Sequence, residues 1–291
     1  MNQWKIQNLL IDRIVESENA DIDPGYFFPE TALEDWAPHR KLLEPHAMVP
    51  ETGRLIFPIQ SYLVRTPGHH ILIDTGVGDH KQRERPHWHM CTGRVLIGGL
   101  AAAGIQPEEI DFVIHTHLHA DHVGWDARVS DGEWVPTFPN ASYIIVKKEW
   151  EYWRMVHEKT PLVHMTDSIL PVMKAGRVML VDDDFELDGA LCLEPTPGHS
   201  PHHVSIVLDS GGRRAVIAGD VMHTPAQCAE AHWAVRPDFD RDLARKTRRA
   251  FLERYSDTDV LVCMAHFASP SVGRIVRHAG AFLFNYDAEG L

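Results

Sequence analysis

The first eighteen residues, MNQWKIQNLLIDRIVESE, alternate apolar and polar positions, the period of a half-buried strand. PGYFFPETALEDWAPHRKLLEPHAMVPE follows, rich in proline and aromatic residues and without a clear period. It predicts an ordered arm over residues 20–50 that covers a pocket or serves as a dimer contact. Two apolar runs, RLIFPIQSYLVRT and HILIDTG, flank PGH and predict two strands joined by a tight turn. TGRVLIGGLAAAG has helical composition and ends on Gly104, a suitable C-terminal stop. DFVIH is then a short buried strand.

The second half repeats the style. ASYIIV reads as a strand and KKEWEYWRMVHE as a helix. The strands RVMLV, LCLEPT, HVSIVLD and RAVIAGD come next, then the amphipathic helix RDLARKTRRAFLERY and a closing strand, DVLVCMAHF. Strand clusters punctuated by helices in both halves predict two packed sheets with helices outside. No flexible linker divides the chain and no short-period repeat is present, so residues 1–291 are expected to form a single domain.

Charge narrows the partners. The chain has 291 residues, and 41 acidic against 28 basic side chains leave a net charge of −13. With no long basic run, neither nucleic acid nor an anionic membrane is expected as a partner, and a small-molecule substrate fits better. No apolar run approaches the roughly 18 to 20 residues a transmembrane helix needs. The N-terminus lacks the charged, apolar and small-residue sequence of a signal peptide. A cytoplasmic protein is expected. Cys91, Cys192, Cys228 and Cys263 are scattered without a CxxC pair and read as buried thiols. Histidine stands out, at 20 residues.

The histidines concentrate in THLHADHVGW, directly after DFVIH. Residues two apart in extended backbone point the same way, so His117 and His119 can grip one metal ion. Asp121 and His122, at the turn that follows, can reach a second. A catalytic zinc site needs three protein ligands and an open position, so this loop must borrow ligands from later in the chain. Three polar residues at the ends of apolar runs are candidates: His199 in TPGHSPHH, Asp220 in VIAGDVMH and His266 in VCMAHF.

HxHxDH followed by PGHS, GD and a strand-end histidine resembles the metallo-β-lactamase-fold hydrolase superfamily, over about two thirds of the chain from ILIDTG to AHFASPSVGRI. The resemblance implies an αββα sandwich of two mixed sheets packed face to face with outer helices, the site lying at one sheet edge. It implies that His117, His119 and His199 hold a first metal and Asp121, His122 and His266 a second, with Asp220 bridging both. Asp74, in IDTG, would support the metal loops without binding metal.

Departures refine the match. Flavin-partnered di-iron members have Glu at the second position of the cluster, whereas this chain has His119, which favours two Zn2+ over redox iron; Fe, Mn or Co can also occupy imidazole and carboxylate sites. RNA-processing members carry nuclease motifs and a basic surface that are not visible in this sequence. The nearest resemblance is to lactonase and methyl parathion hydrolase-like members. Quorum-quenching lactonases usually carry Tyr three positions after the bridging Asp; this chain has His223, which is more like the organophosphate hydrolases and suggests a substrate-facing role.

The expected function is hydrolysis of a small ester or lactone by a hydroxide shared between two zinc ions. Asp121 is the expected proton carrier and His223 the second catalytic candidate. The alternatives are an organophosphate or other xenobiotic hydrolase, a thioester hydrolase and a non-catalytic metal-binding member. HWH, His87 to His89, has ligand-like spacing but no downstream partners and reads as a surface or lid loop. His115 is expected to make a structural hydrogen bond, and His202 and His203 to lie behind the ligands or in solvent. Trp88, Trp125, Tyr26, Phe27, Phe28 and Trp36 are candidates for lining an apolar pocket, with core or dimer packing as the alternative.

Overall fold

The apolar runs pair into two seven-stranded mixed sheets in a computed structural model that describes residues 2–287. In each sheet the strands lie side by side in chain order. The first contains Asn2–Ile6, Leu9–Ile22, Leu55–Arg65, His70–Ile73, Phe112–Ile114, Ser142–Val146 and Val178–Val181. The second contains Glu186–Leu187, Leu191–Pro195, Val204–Ser210, Arg213–Ile217, Leu261–Cys263, Val272–His278 and Ala281–Tyr286. Ala127–Ser130 and Glu133–Pro136 form a separate two-stranded ribbon. The mixed α/β class expected from the sequence is present.

The described residues divide into two compact units that interleave in sequence: Asn2–Glu16 with Ile59–Phe185, and Ser17–Pro58 with Glu186–Asp287.

In the first unit, His70–Ile73 and Phe112–Ile114 run parallel with Ile73 opposite Ile114. Parallel strands in register end at the same edge, so Asp74 and the loop from His115 onward leave the sheet together. Leu72, Val113 and Tyr143 pack with Leu96 and Leu100 of the helix Val95–Ala102. Leu118, Val123 and Ile145 pack instead with Trp150 of the helix Lys147–Lys159. Two buried apolar residues therefore sit inside the histidine loop itself and fix it to the core.

The second unit repeats the device. Arg213–Ile217 runs parallel to Leu261–Cys263 with Ile217 opposite Cys263, while Ile206 of the antiparallel neighbour also faces Ile217. The loop between Pro195 and Val204 and the chain after Ile217 and after Cys263 consequently emerge at one edge. Asp240 caps the helix Arg241–Tyr255 by accepting from Leu243 N at 2.9 Å. Its Phe251, Leu252 and Tyr255 bury against Val216, Val262 and Met264. A buried stripe at helical spacing, mostly apolar but containing Arg248, thus joins helix to sheet.

Several elements differ from the expectation. The N-terminal stretch is a hairpin of two strands rather than one, turning at Gln7 with φ at 54°. DVLVCMAHF does not close the chain: SVGRIVRHAGAFLFNY adds a hairpin that turns at Ala279 and Gly280. The arm is largely short helix, Pro24–Phe27, Leu33–His39 and Arg40–Leu43, and its Phe27, Phe28, Trp36 and Leu43 are core residues of the second unit. All four cysteines are free, but only Cys228 and Cys263 are buried; Cys91 and Cys192 are half-buried. Among the described residues no helix is long and apolar enough to cross a membrane.

Candidate metal centre

The first unit supplies a cluster built on crossed loops. Asp74 takes a left-handed conformation, φ 54°, at the end of its strand, and its side chain turns toward the neighbouring loop. Its Oδ1 accepts Thr116 N at 2.9 Å, and its Oδ2 accepts the Thr116 hydroxyl and faces His122 Nδ1, each at 2.8 Å. Backbone bonds complete the clamp, from Thr75 N to His122 O at 2.7 Å and from Gly124 N to Gly76 O at 2.7 Å. Glu16 closes it from behind, accepting Val77 N at 2.6 Å and Trp125 Nε1 at 2.6 Å. Burial opposes ionisation of Asp74, but His122 and His115 outweigh it and hold the carboxyl far below the usual carboxylate range.

On this frame His117 Nε2 lies 2.9 Å from His119 Nδ1, and the His117 and His122 rings are 4.1 Å apart. Asp121 Oδ2 lies 3.9 Å from His122 Nε2. Trp153, which donates to Glu149 Oε1 at 2.7 Å, sets its ring edge to face against His119. His115 is a structural residue as expected, with Nε2 2.9 Å from the buried Asp126 Oδ2; burial works against its charge, and Asp126 and Asp74 raise it to about 9.

The second unit supplies three imidazoles around one carboxylate. His199 Nε2 is 3.1 Å, and His223 Nε2 and His266 Nε2 are each 3.2 Å, from Asp220 Oδ2. All four residues are buried. Asp220 is fixed through its own backbone, because its N–H donates to His203 Nε2 at 3.0 Å while His203 Nδ1 meets the Thr196 hydroxyl at 2.8 Å. His199 Nδ1 faces Asp238 Oδ1 at 2.9 Å and His266 Nδ1 faces the Pro58 carbonyl at 2.9 Å. Burial opposes charge on His199, and Asp220 and Asp238 together raise it to about 9. For His223 burial prevails over Asp220, with His199 and His266 adding to it, and the ring is lowered to about 4.

These donors fit divalent cations. Nitrogens whose far partners are a carboxylate and a carbonyl carry their protons there, which leaves His199 and His266 with lone pairs at Nε2, aimed at a carboxylate oxygen. Lone pair against anion at that range is repulsive unless a proton, as on His199, or a metal ion sits between them. The same holds for His122, whose Nδ1 faces Asp74.

Each predicted ligand thus joins a cluster in its own unit: His117, His119, Asp121 and His122 in the first, His199, Asp220 and His266 in the second. His223 stands with the latter. The sequence reading missed Asp238 and the way His203 anchors Asp220. Asp238 is 39 residues from His199 with no motif to connect them. His87 to His89 form part of a short turn under Arg85, with His89 Nδ1 3.1 Å from Arg83 O. Phe27, Phe28 and Trp36 pack with Trp233 in the second unit, and Phe27 also touches His223, whereas Tyr26 is exposed.

The family model described as the metallo-beta-lactamase superfamily matches residues 55–266, a span containing both clusters. An N-acyl homoserine lactonase of Bacillus thuringiensis is 26% identical over 170 residues, 54% of this chain and 61% of that protein. The N-acyl homoserine lactonase AttM of Rhizobium radiobacter is 28% identical over 170 residues, 52% and 59% of the two chains. The chain therefore spans about three fifths of the length of these relatives. Among solved structures, the hydrolase AbOPH of the beta lactamase superfamily is similar with a TM-score of 0.82 and 22% identity, over 97% of this chain and 96% of that one. AidC, a dizinc quorum-quenching lactonase solved with a product, gives 0.80 and 22%, over 98% and 96%. These two likenesses concern the fold. On the extent of the family match, this chain belongs to the metallo-beta-lactamase superfamily.

Proposed function

We propose that the chain is a dinuclear metal-dependent hydrolase that opens a small ester or lactone. In this reading His117, His119 and His199 hold one zinc ion, Asp121, His122 and His266 hold the other, and Asp220 is shared. The observation that carries it is the convergence of His199 and His266 Nε2 on Asp220 Oδ2, each ring held from behind at Nδ1. The similarity to N-acyl homoserine lactonases supports the lactone class.

Two bound ions supply a water acidic enough to attack at neutral pH and a Lewis acid for the substrate carbonyl. The protein's own residues do the rest. Asp121 is the least buried carboxylate of the set, its side chain 15% exposed, and carries the proton from the attacking water to the departing oxygen. Phe27 and Phe57 pack beside His223, with Phe57 stacked on His266 at 6.0 Å, and present an aromatic wall suited to an apolar acyl or aryl group. No serine or cysteine nucleophile is required.

The test is metal content of protein purified without added metal, run beside hydrolysis of lactones, aryl esters, phosphotriesters and thioesters. About two equivalents of zinc and lactone or ester turnover abolished by chelator are expected. Turnover that survives complete metal removal would end the proposal, and a preference for phosphotriesters would move the substrate class.

A further inference from the structure

The imidazoles around Asp220 differ at their second nitrogen. His199 Nδ1 faces a carboxylate and His266 Nδ1 a backbone carbonyl, both at 2.9 Å. Those partners can only accept, so in the neutral rings the proton is at Nδ1 and the lone pair at Nε2. His223 is built the other way. Its Nδ1 is buried with no hydrogen-bond partner among the described residues. Its ring lies against Phe27 at 5.3 Å and Phe57 at 6.2 Å and stacks on His266 at 5.2 Å with 11° between planes.

A neutral imidazole has one proton to place. At Nδ1 of His223 it would be a buried N–H without an acceptor, which is expensive. At Nε2 it donates to Asp220 Oδ2, 3.2 Å away, and leaves only a lone pair among aromatic rings. Metal-bound histidines nearly always donate from the far nitrogen, and His223 has nothing to donate to there. Asp220, His223 and His266 are close enough to form a three-ligand set, yet the tautomers divide them.

We infer that His223 is held as the Nε2–H tautomer and is a positioning residue: it donates to Asp220 Oδ2 and fixes that carboxylate, without being a metal ligand. This rests on the dinuclear reading above. The backbone braces it, since His223 N donates to Gln227 Oε1 at 2.7 Å and Gln227 Nε2 donates to Trp233 O at 2.8 Å. With His203 on the main chain and His223 on the side chain, Asp220 is constrained at both ends.

Long-range nitrogen–proton correlation spectra of uniformly 15N-labelled protein, recorded with and without zinc, test this directly. His223 is assigned by its disappearance in His223→Gln. The expected pattern is Nε2–H at His223 in both states, with Nδ1–H and metal-shifted Nε2 at His199 and His266 in the zinc form. An Nδ1–H tautomer with a metal-shifted Nε2 at His223 would make it a ligand and overturn the inference. Zinc affinity gives a second readout: His223→Gln, whose amide can donate from nearly the same place, stays within about threefold, while His223→Leu loses tenfold to a hundredfold. Equal losses in both variants, or none in either, would also overturn it. If the wild-type chain takes up no zinc, the dinuclear reading fails, and the tautomer in the metal-free spectrum still decides the placement of the His223 proton.

Discussion

Asp74 and His122 are 48 residues apart in sequence, and the Asp74 carboxylate lies 2.8 Å from His122 Nδ1. The contact exists because two parallel strands end in register and Asp74 adopts a left-handed turn at that edge. Its effect is to fix the tautomer and direction of a proposed ligand without occupying a ligand position. Asp74→Ala should therefore weaken zinc binding about tenfold to a hundredfold. Competition against a chromophoric chelator measures this, and an unchanged affinity would show that the loop holds His122 unaided.

The proposed ligand set makes a sharper demand on stoichiometry. His117→Ala should lose metal and turnover together, and Asp220→Ala should lose both ions because it is the shared residue. Both variants should keep the far-ultraviolet spectrum of the parent, since the sheets bury their own cores. Full zinc content in Asp220→Ala would refute its shared role.

Gly124 packs where no side chain fits. A Cβ there would lie 1.9 Å from both the carbonyl carbon and oxygen of Val77, at the crossing of the two loops that Glu16 also ties. Gly124→Ala must push the loops apart, at a cost of about 2–4 kcal/mol. Thermal melts of metal-free protein isolate the effect, and a melting temperature equal to wild type would show that the crossing is loose.

Lys81 provides a pH dependence. Its ammonium is fully buried, donates to the Ala127 and Asp167 carbonyls and sits 3.7 Å over the Trp134 ring. Burial lowers it to about 7, against the pull of Asp167. An unfolded lysine titrates near 10.4, so between about pH 7 and 10 the unfolded chain holds a proton that the folded chain has released. Stability from this group accordingly rises with pH through that window and is flat below it. The wild type should gain roughly 1 kcal/mol over Lys81→Met between about pH 7.5 and 8.5. Parallel pH profiles for the two proteins would place the lysine proton elsewhere.

What the sequence disclosed followed from locality. HxHxDH is one loop, and strand ends punctuated by PGH, GD and AH are visible because each polar residue interrupts an apolar run. The helix Arg241–Tyr255 was legible to the residue from its period. Asp238 behind His199 and Pro58 O behind His266 were not, because they are joined by tertiary packing across 39 and 208 residues and neither carries a local pattern. The last hairpin does carry one, an alternation on either side of Ala279 and Gly280. The arm carries no period that chooses between pocket lining and core packing: its aromatic residues serve a core that is assembled only when Trp233 arrives from far along the chain.

Arg248 shows how that tertiary packing supports the second cluster. The guanidinium is buried and donates to Val221 O at 2.8 Å, Ala231 O at 3.0 Å and Trp233 O at 2.6 Å. Its Nη2 also lies 3.8 Å from Asp238 Oδ2, the carboxylate that orients His199. Burial lowers its pKa to about 10, which still leaves it charged at neutral pH. Arg248→Met would take the side-chain donor from Val221 O and Ala231 O, leave Trp233 O to Gln227, and remove the guanidinium beside Asp238, and breaking such a buried network costs about 3–5 kcal/mol. Lysine reaches only part of the fork, so Arg248→Lys should recover some stability and little of the geometry at Asp238. Denaturant melts of both variants give the stabilities, and zinc affinity reports whether His199 is still aimed. If Arg248→Met melts like the wild type and binds zinc as tightly, the link from the helix Arg241–Tyr255 through Asp238 to His199 carries no energy.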